Sequence, residues 1–146
     1  MKKVLFLLLI ISVIIGGFIY LSNNMERELE EESNVETICY SLRDKNRNDE
    51  RTKKLLKNFT NINEQNDFGE TALHCAADMS NGEIAQLLIS KGANVNIKDN
   101  EGRTPLFYIY SFGFDAENLE EILINAGADV SIKDNEGKTY IEYIDE

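Results

Sequence analysis

Apolar residues are arranged in two different ways along this chain. From Val4 to Leu21 the sequence reads VLFLLLIISVIIGGFIYL, 18 successive residues without a charge. As a helix rising about 1.5 Å per residue, the run covers about 27 Å, close to the roughly 30 Å hydrocarbon core of a bilayer. It predicts one hydrophobic helix within residues 1–24, long enough to cross a membrane. Beyond it, apolar residues recur at helical spacing. Ile84, Leu87 and Leu88 mark one amphipathic helix, and Leu119, Ile122 and Leu123 a second. Gly92 and Gly127 follow them and suit the left-handed backbone that ends a helix. Thr71 and Thr104 open shorter apolar stretches that their hydroxyls can cap, and Pro105 stands in a first turn, where its missing N–H costs nothing. An opening helix pair is expected over Val35 to Phe59, with Ile38, Leu42, Leu55 and Leu56 as its core. A last short helix is expected from Thr139 to Glu146, with Tyr140, Ile141 and Ile144 inward and Glu142, Asp145 and Glu146 outward.

These elements repeat. IKDNEG occurs at 97–102 and at 132–137, inside a longer match of GANVNIKDNEGRT (92–104) to GADVSIKDNEGKT (127–139) at an offset of 35. Asp67 to His74, DFGETALH, aligns with the stretch from Asp99, since Gly69 and Gly102 lie 33 apart. Leu55-Leu56 followed by Asn61-Ile62-Asn63 is a fainter copy of Leu87-Leu88 followed by Asn94-Val95-Asn96. A period of this length signals units that bury their apolar faces only by stacking on one another.

The motifs resemble ankyrin repeats. Gly69 to Ala77 is similar to that family's G-x-T-P-L-H-x-A-A, with Ala72 in place of the Pro. Gly102 to Leu106 keeps the Pro and puts Phe107 where the His would be. Glu83 to Asn96 resembles the second helix and its exit. The likeness runs from about Asn34 to Glu146. It implies an all-α solenoid of helix-turn-helix units with β-turn tips, about three and a half repeats long. The units are a degenerate N-capping repeat at 34–66, a repeat at 67–98, a repeat at 99–133 with a two-residue insertion in Ser111 to Asn118, and a truncated C-capping repeat at 134–146. The resemblance gives His74 the structural role of hydrogen-bonding the turn that begins its helix. It also implies protein binding through the turn tips and the exposed side of the first helices. On this sequence that face is drawn from Asp67, Phe68, Glu70, Asp78 and Met79 in one unit and from Asn100, Glu101, Arg103, Ser111 and Phe112 in the next. Exposed Phe68, Met79 and Phe112 among carboxylates would form an apolar anchor with an acidic rim, suited to a partner protein with a basic patch.

Charge adds topology to this picture. The chain has 26 acidic against 15 basic residues, a net −11. Lys2 and Lys3 are the only charges in 1–24, which leaves 13 basic against 26 acidic residues after it, or −13. Positive charge before a span is retained in the cytoplasm, so the acidic stalk at 25–33 and the repeats are expected outside it, periplasmic or extracellular, on a single-pass anchor. The alternative is a cleaved signal and a secreted or periplasmic effector or inhibitor, although no small-x-small cleavage site fits well around Gly16 and Gly17. The acidic balance argues against nucleic acid as a partner. The chain is expected to act as a monomer.

Reactive groups are few. His74 is the only histidine, and no nucleophile motif accompanies it. Cys39 and Cys75 fall in the first helices of neighbouring units. A disulfide between them is conceivable in an oxidising compartment, but Cys75 sits at an apolar core position, and two buried thiols are the preferred expectation. Two Cys and one His do not make a zinc site, and the KDNEG turns lack the spacing of a calcium loop. Asn58-Phe59-Thr60 matches a glycosylation sequon. The expectation is a binding module with no catalytic residue, cofactor or metal.

Overall fold

The computed structural model describes residues 33–44, 49–109 and 116–144. The apolar run Val4–Leu21, nearly all of the acidic stretch after it, Ser111, Phe112, Asp145 and Glu146 lie outside the described residues. The elements are α1 (Val35–Arg43), α2 (Asp49–Asn58), α3 (Ala72–Asp78), α4 (Gly82–Ser90), a 3₁₀ turn (Pro105–Tyr108), α5 (Ala116–Asn125) and α6 (Tyr140–Ile144). Among the described residues there is no strand, only an isolated antiparallel bridge between Lys133 and Thr139.

Helix boundaries follow from local chemistry. Asn34 and Thr37 open α1 as a reciprocal pair: the Thr37 N–H donates to Asn34 Oδ1 at 2.9 Å, and the Asn34 N–H donates to Thr37 Oγ1 at 3.2 Å. Asn81 caps α4 by accepting the Ile84 N–H at 3.1 Å. At the other end of α4, Gly92 has φ +92°, its N–H donates to the Ile89 carbonyl, and the Ala93 N–H reaches back to Leu88. Gly127, with φ +93°, ends α5 in the same way through Ile124 and Leu123. Both are Schellman ends, which need a residue tolerant of positive φ.

Two layers result. α1, α3, the 3₁₀ turn and α6 pack in succession, while α2, α4 and α5 form a second row behind them. Between the rows runs one core, in which Ile38, Leu42, Leu56, Leu73, Ile84, Leu88, Leu106, Leu119 and Leu123 are essentially inaccessible. At about 25 cal/mol per Å² of apolar area, each such side chain contributes roughly 1.5–3 kcal/mol, and no unit could bury it unaided.

Three expectations are corrected. Cys39 and Cys75 are joined in a disulfide, with Cα atoms 5.3 Å apart, and no cysteine is free. α1 and α3 lie side by side, so the two apolar positions face one another across their interface. In the last helix, Ile141 (44%) and Ile144 (40%) are exposed. Tyr140 is buried as expected, its hydroxyl bonded to Glu120, and Tyr143 rather than the isoleucines shares the inward stripe because its hydroxyl finds Asp134 there. The apolar start at Thr104 forms a 3₁₀ turn, closed by Phe107 N–H donating to the Thr104 carbonyl at 3.0 Å.

Candidate functional site

Three turn tips stand in line beside the first-helix layer, and one chemical device builds each of them. In the second tip Asp99 Oδ1 accepts the N–H groups of Glu101 (2.8 Å) and Arg103 (2.9 Å). Asp134 does the same for Glu136 and Lys138, and Asn66 for Phe68 and Glu70. Gly69, Gly102 and Gly137 close the turns at φ +78°, +78° and +83°. The tips are then bolted together. The Asn100 N–H and Nδ2 donate to the carbonyls of Phe68 (3.0 Å) and Asp67 (2.9 Å), and Asn135 repeats this on Glu101 and Asn100. A Cβ on Gly69 would stand 2.7 Å from the Asn100 backbone nitrogen, so the contact requires glycine.

In the second and third tips the residue four after the threonine at the helix start, Thr104 or Thr139, completes the tip. Tyr108 and Tyr143 donate their hydroxyls to the free oxygens of Asp99 and Asp134. The carboxylates invite a calcium reading in the sequence, yet each is engaged by two turn amides and a phenol. Burial, reinforced by the Asp99 hydrogen bond, pushes the Tyr108 hydroxyl well above its usual range. For Asp134 burial acts upward, but the bonds from Tyr143, Lys138 and Glu136 outweigh it and hold the carboxyl below its usual value. Cys75 stands at the corresponding place in the first complete repeat and turns back to Cys39 instead.

His74 is fully buried. Its Nδ1 accepts the Thr71 N–H at 3.0 Å and lies 2.9 Å from the Thr71 hydroxyl, so Nε2 carries the proton and donates to the Arg103 carbonyl at 3.2 Å. The ring thus joins the start of α3 to the next tip. Burial lowers its pKa and keeps it neutral. Both nitrogens are engaged, which leaves neither to act as a base.

Among the residues read as a binding face, Asp67 and Phe68 (68% exposed) project from the first tip, and Asn100 and Glu101 from the second. Glu136 extends the acidic line on the third. Glu70 does not belong to that surface. It is 7% exposed, and Arg43 takes its two oxygens at 2.8 and 3.3 Å while reaching Asp78 at 3.3 Å. Burial would raise the Glu70 pKa, but Arg43 and Asn66 hold it below the usual carboxylate range. Met79 is half-buried against the core. Arg103 pairs with Glu101 at 2.5 Å and sits 5.4 Å from the centroid of the Tyr143 ring, so its charge is locally compensated. Between the second and third tips lies a cleft of about 460 Å³ lined by Asn100, Glu101, Arg103, Asp134, Asn135 and Glu136. Among the described residues no three His, Cys, Asp or Glu side chains gather as metal ligands.

Arg43 and the two tyrosines are contributors that the sequence motifs do not single out. Tyr108 and Tyr143 lie 35 apart, the offset of the IKDNEG copies, so periodicity carried that signal. Arg43 lies in the degenerate unit, where no motif marks it.

Comparison with known proteins agrees with this geometry. A family model described as ankyrin repeats (3 copies) matches residues 38–139. An ankyrin repeat protein of Acanthamoeba polyphaga mimivirus is 53% identical over 49 residues, 33% of this chain and 12% of the relative. One from Rickettsia bellii is 37% identical over 60 residues, 41% of this chain and 36% of the relative. The neurogenic locus notch homolog protein 1 of Homo sapiens is 41% identical over 53 residues, 36% of this chain and 2% of its own length. The chain therefore spans a minor part of each of these relatives.

Proposed function

This chain belongs to the ankyrin-repeat family, and we propose on that premise that it is a non-enzymatic protein-binding module, tethered to a membrane by Val4–Leu21 and displayed outside the cytoplasm. Ankyrin repeats are protein-interaction modules. The observation that carries the reading for this chain is the rigid line of tips, whose outward groups are Asp67, Phe68, Glu101 and Glu136. An exposed aromatic beside carboxylates suits a protein partner with an apolar pocket rimmed by basic residues, and the acidic balance disfavours nucleic acid. The face comprises Asp67, Phe68, Asn100 and Glu101, and the reading assigns Ser111 and Phe112, which lie outside the described residues, to it on the sequence alone; Asp78 is already held by Arg43 and contributes less.

Display outside the cytoplasm is supported by the Lys2-Lys3 flank and by the Cys39–Cys75 bond, since disulfides persist in oxidising compartments. Among the described residues no helix is long and apolar enough to cross a membrane, so the tether of this reading is the apolar run before residue 33. Tethering also raises the effective concentration toward a partner in the same membrane, so modest affinity suffices. The chain works as a monomer in this reading. Membrane fractionation with sequencing of the mature N-terminus tests it: the account expects an intact Met1 or Lys2 start in the detergent-extracted fraction. A soluble protein beginning after Leu21 would replace the tether with a secreted effector.

A further inference from the structure

We propose that Cys39 and Cys75 form an oxidative latch: they are the substrate of a thiol–disulfide oxidoreductase, and closing the bond fastens the first unit onto the rest of the stack. The inference rests on the extracytoplasmic reading above, because the oxidant is found there.

The need for a latch lies in how unevenly the units are joined. The 67–98 and 99–133 units are bolted together by the Asn100 clip on the tips, by His74 reaching Arg103, and by Asn96, which takes the Asp129 N–H at 2.8 Å and donates to the Gly127 carbonyl at 3.0 Å. Between α1–α2 and its neighbour the described residues show no tip-to-tip clip and no histidine link. Among the hydrogen bonds that remain are an Asn63 clip to Gly92 and Asn94, Gln65 donating to the Lys98 carbonyl at 3.0 Å, and Asn81 donating to Asp49 at 3.1 Å. Arg43 adds a bidentate pair to the buried Glu70 carboxylate, and the more exposed pairs are Arg43 to Asp78 and Lys53 to Glu83 at 2.7 Å. Exposed pairs of this kind add little to stability. A covalent tie between residues 36 apart removes much of the freedom of the undocked unit.

Burial sets the order of events. Cys39 is 2% exposed and Cys75 is inaccessible, so a catalytic protein cannot reach either sulfur once α1 has docked. Oxidation therefore precedes or accompanies docking. Cys39 lies on α1, the element that docks last in this order, and Cys75 lies on α3 within the 67–98 unit, so Cys39 is the sulfur presented to the oxidoreductase first. The Cys39 thiolate attacks the disulfide of the oxidoreductase, forming a mixed disulfide and releasing one of its sulfurs as a thiolate. The Cys75 thiolate then attacks Cys39 Sγ, forming the intramolecular bond and expelling the second sulfur. Two electrons and two protons leave the cysteine pair, and the oxidoreductase ends as a dithiol. Once closed and buried, the bond is protected from the reverse reaction.

Two arms on the full-length chain test this. In bacteria with and without their extracytoplasmic thiol oxidase, acid-trapped thiols are counted by maleimide–polyethylene glycol gel shift. None is expected in the first host and two in the second. In detergent, amide hydrogen exchange is compared for oxidised protein, reduced protein and the Cys39→Ala/Cys75→Ala variant. Exchange across 35–58 is expected to quicken about a hundredfold in the last two, while the tips from 99 to 137 change less than threefold. Unchanged exchange across 35–58 overturns the latch, whatever the gel shows. A bond formed equally in both hosts overturns the oxidoreductase step. Free thiols in both hosts, with the exchange difference intact in detergent, retain the latch and reject extracytoplasmic display.

Discussion

His74 and the tip glycines carry the sharpest consequences at the level of single residues. Burial lowers the His74 pKa in the fold, so the neutral ring contributes fully above its unfolded value of about 6.5. That contribution is lost as pH falls from 6.5 toward the lower folded pKa. Glu70, also depressed in the fold, adds its own loss only as pH falls below its ordinary value of about 4.5. Melting temperature should therefore drop between pH 6.5 and pH 5 in the wild type. A His74→Phe variant should start lower by about 1–3 kcal/mol, for the buried partners it leaves, and be flat across that window. Thermal melts at half-unit pH steps check both outcomes. Gly102 and Gly137 share a positive φ, but a Cβ on Gly102 would meet the Asn135 side chain at 2.5 Å, and one on Gly137 meets nothing within 4 Å. Both alanine variants carry the left-handed penalty of roughly 1–2 kcal/mol. Gly102→Ala should exceed Gly137→Ala because it also forces the Asn135 clip apart, as urea midpoints would record.

At the scale of elements, each tip is a turn held by its own aspartate or asparagine, and the tyrosine behind it decides how firmly. Tyr108→Phe should cost about 1 kcal/mol by leaving the 8% exposed Asp99 short of a donor, and Tyr143→Phe a similar amount at the 7% exposed Asp134; denaturant titration compares the two. The stacked second helices, the glycine ends and the repeat period were all legible in the sequence. The spacing of Ile84, Leu87 and Leu88, and of Leu119, Ile122 and Leu123, marks an apolar face directly through helical geometry. What was not legible depended on partners distant in the chain. Tyr140, Ile141 and Ile144 read as inward from hydropathy; Tyr140 is, but the Asp134 carboxylate draws Tyr143 in and leaves the isoleucines out. Glu70 read as surface because its guanidinium partner lies 27 residues away in a unit without a motif. The cysteines' place in the first helices of neighbouring units left a bridge conceivable, and the preference for core thiols came from the apolar position of Cys75, which an apolar disulfide occupies equally well.

For the whole molecule, two rows of helices make a stiff support and the tips make its edge. Partner capture that depends on Asp67, Glu101 and Glu136 should weaken as salt rises, because exposed charges are screened over about 8 Å at physiological ionic strength and about 3 Å at 1 M. A pull-down with the detergent-solubilised chain, repeated at about 0.15 M and 1 M salt, should lose most of its main partner at the higher concentration, and that partner should present a basic surface. Equal recovery at both would remove the electrostatic part of the account. The most direct test places a photo-crosslinking residue at position 68 of the full chain in native membranes, with Lys54 on the outer side of α2 as the comparison site. The account predicts a discrete adduct from position 68, absent from position 54, to a protein exposed outside the cytoplasm. No adduct above that from position 54, or an adduct to a cytoplasmic protein, would contradict it.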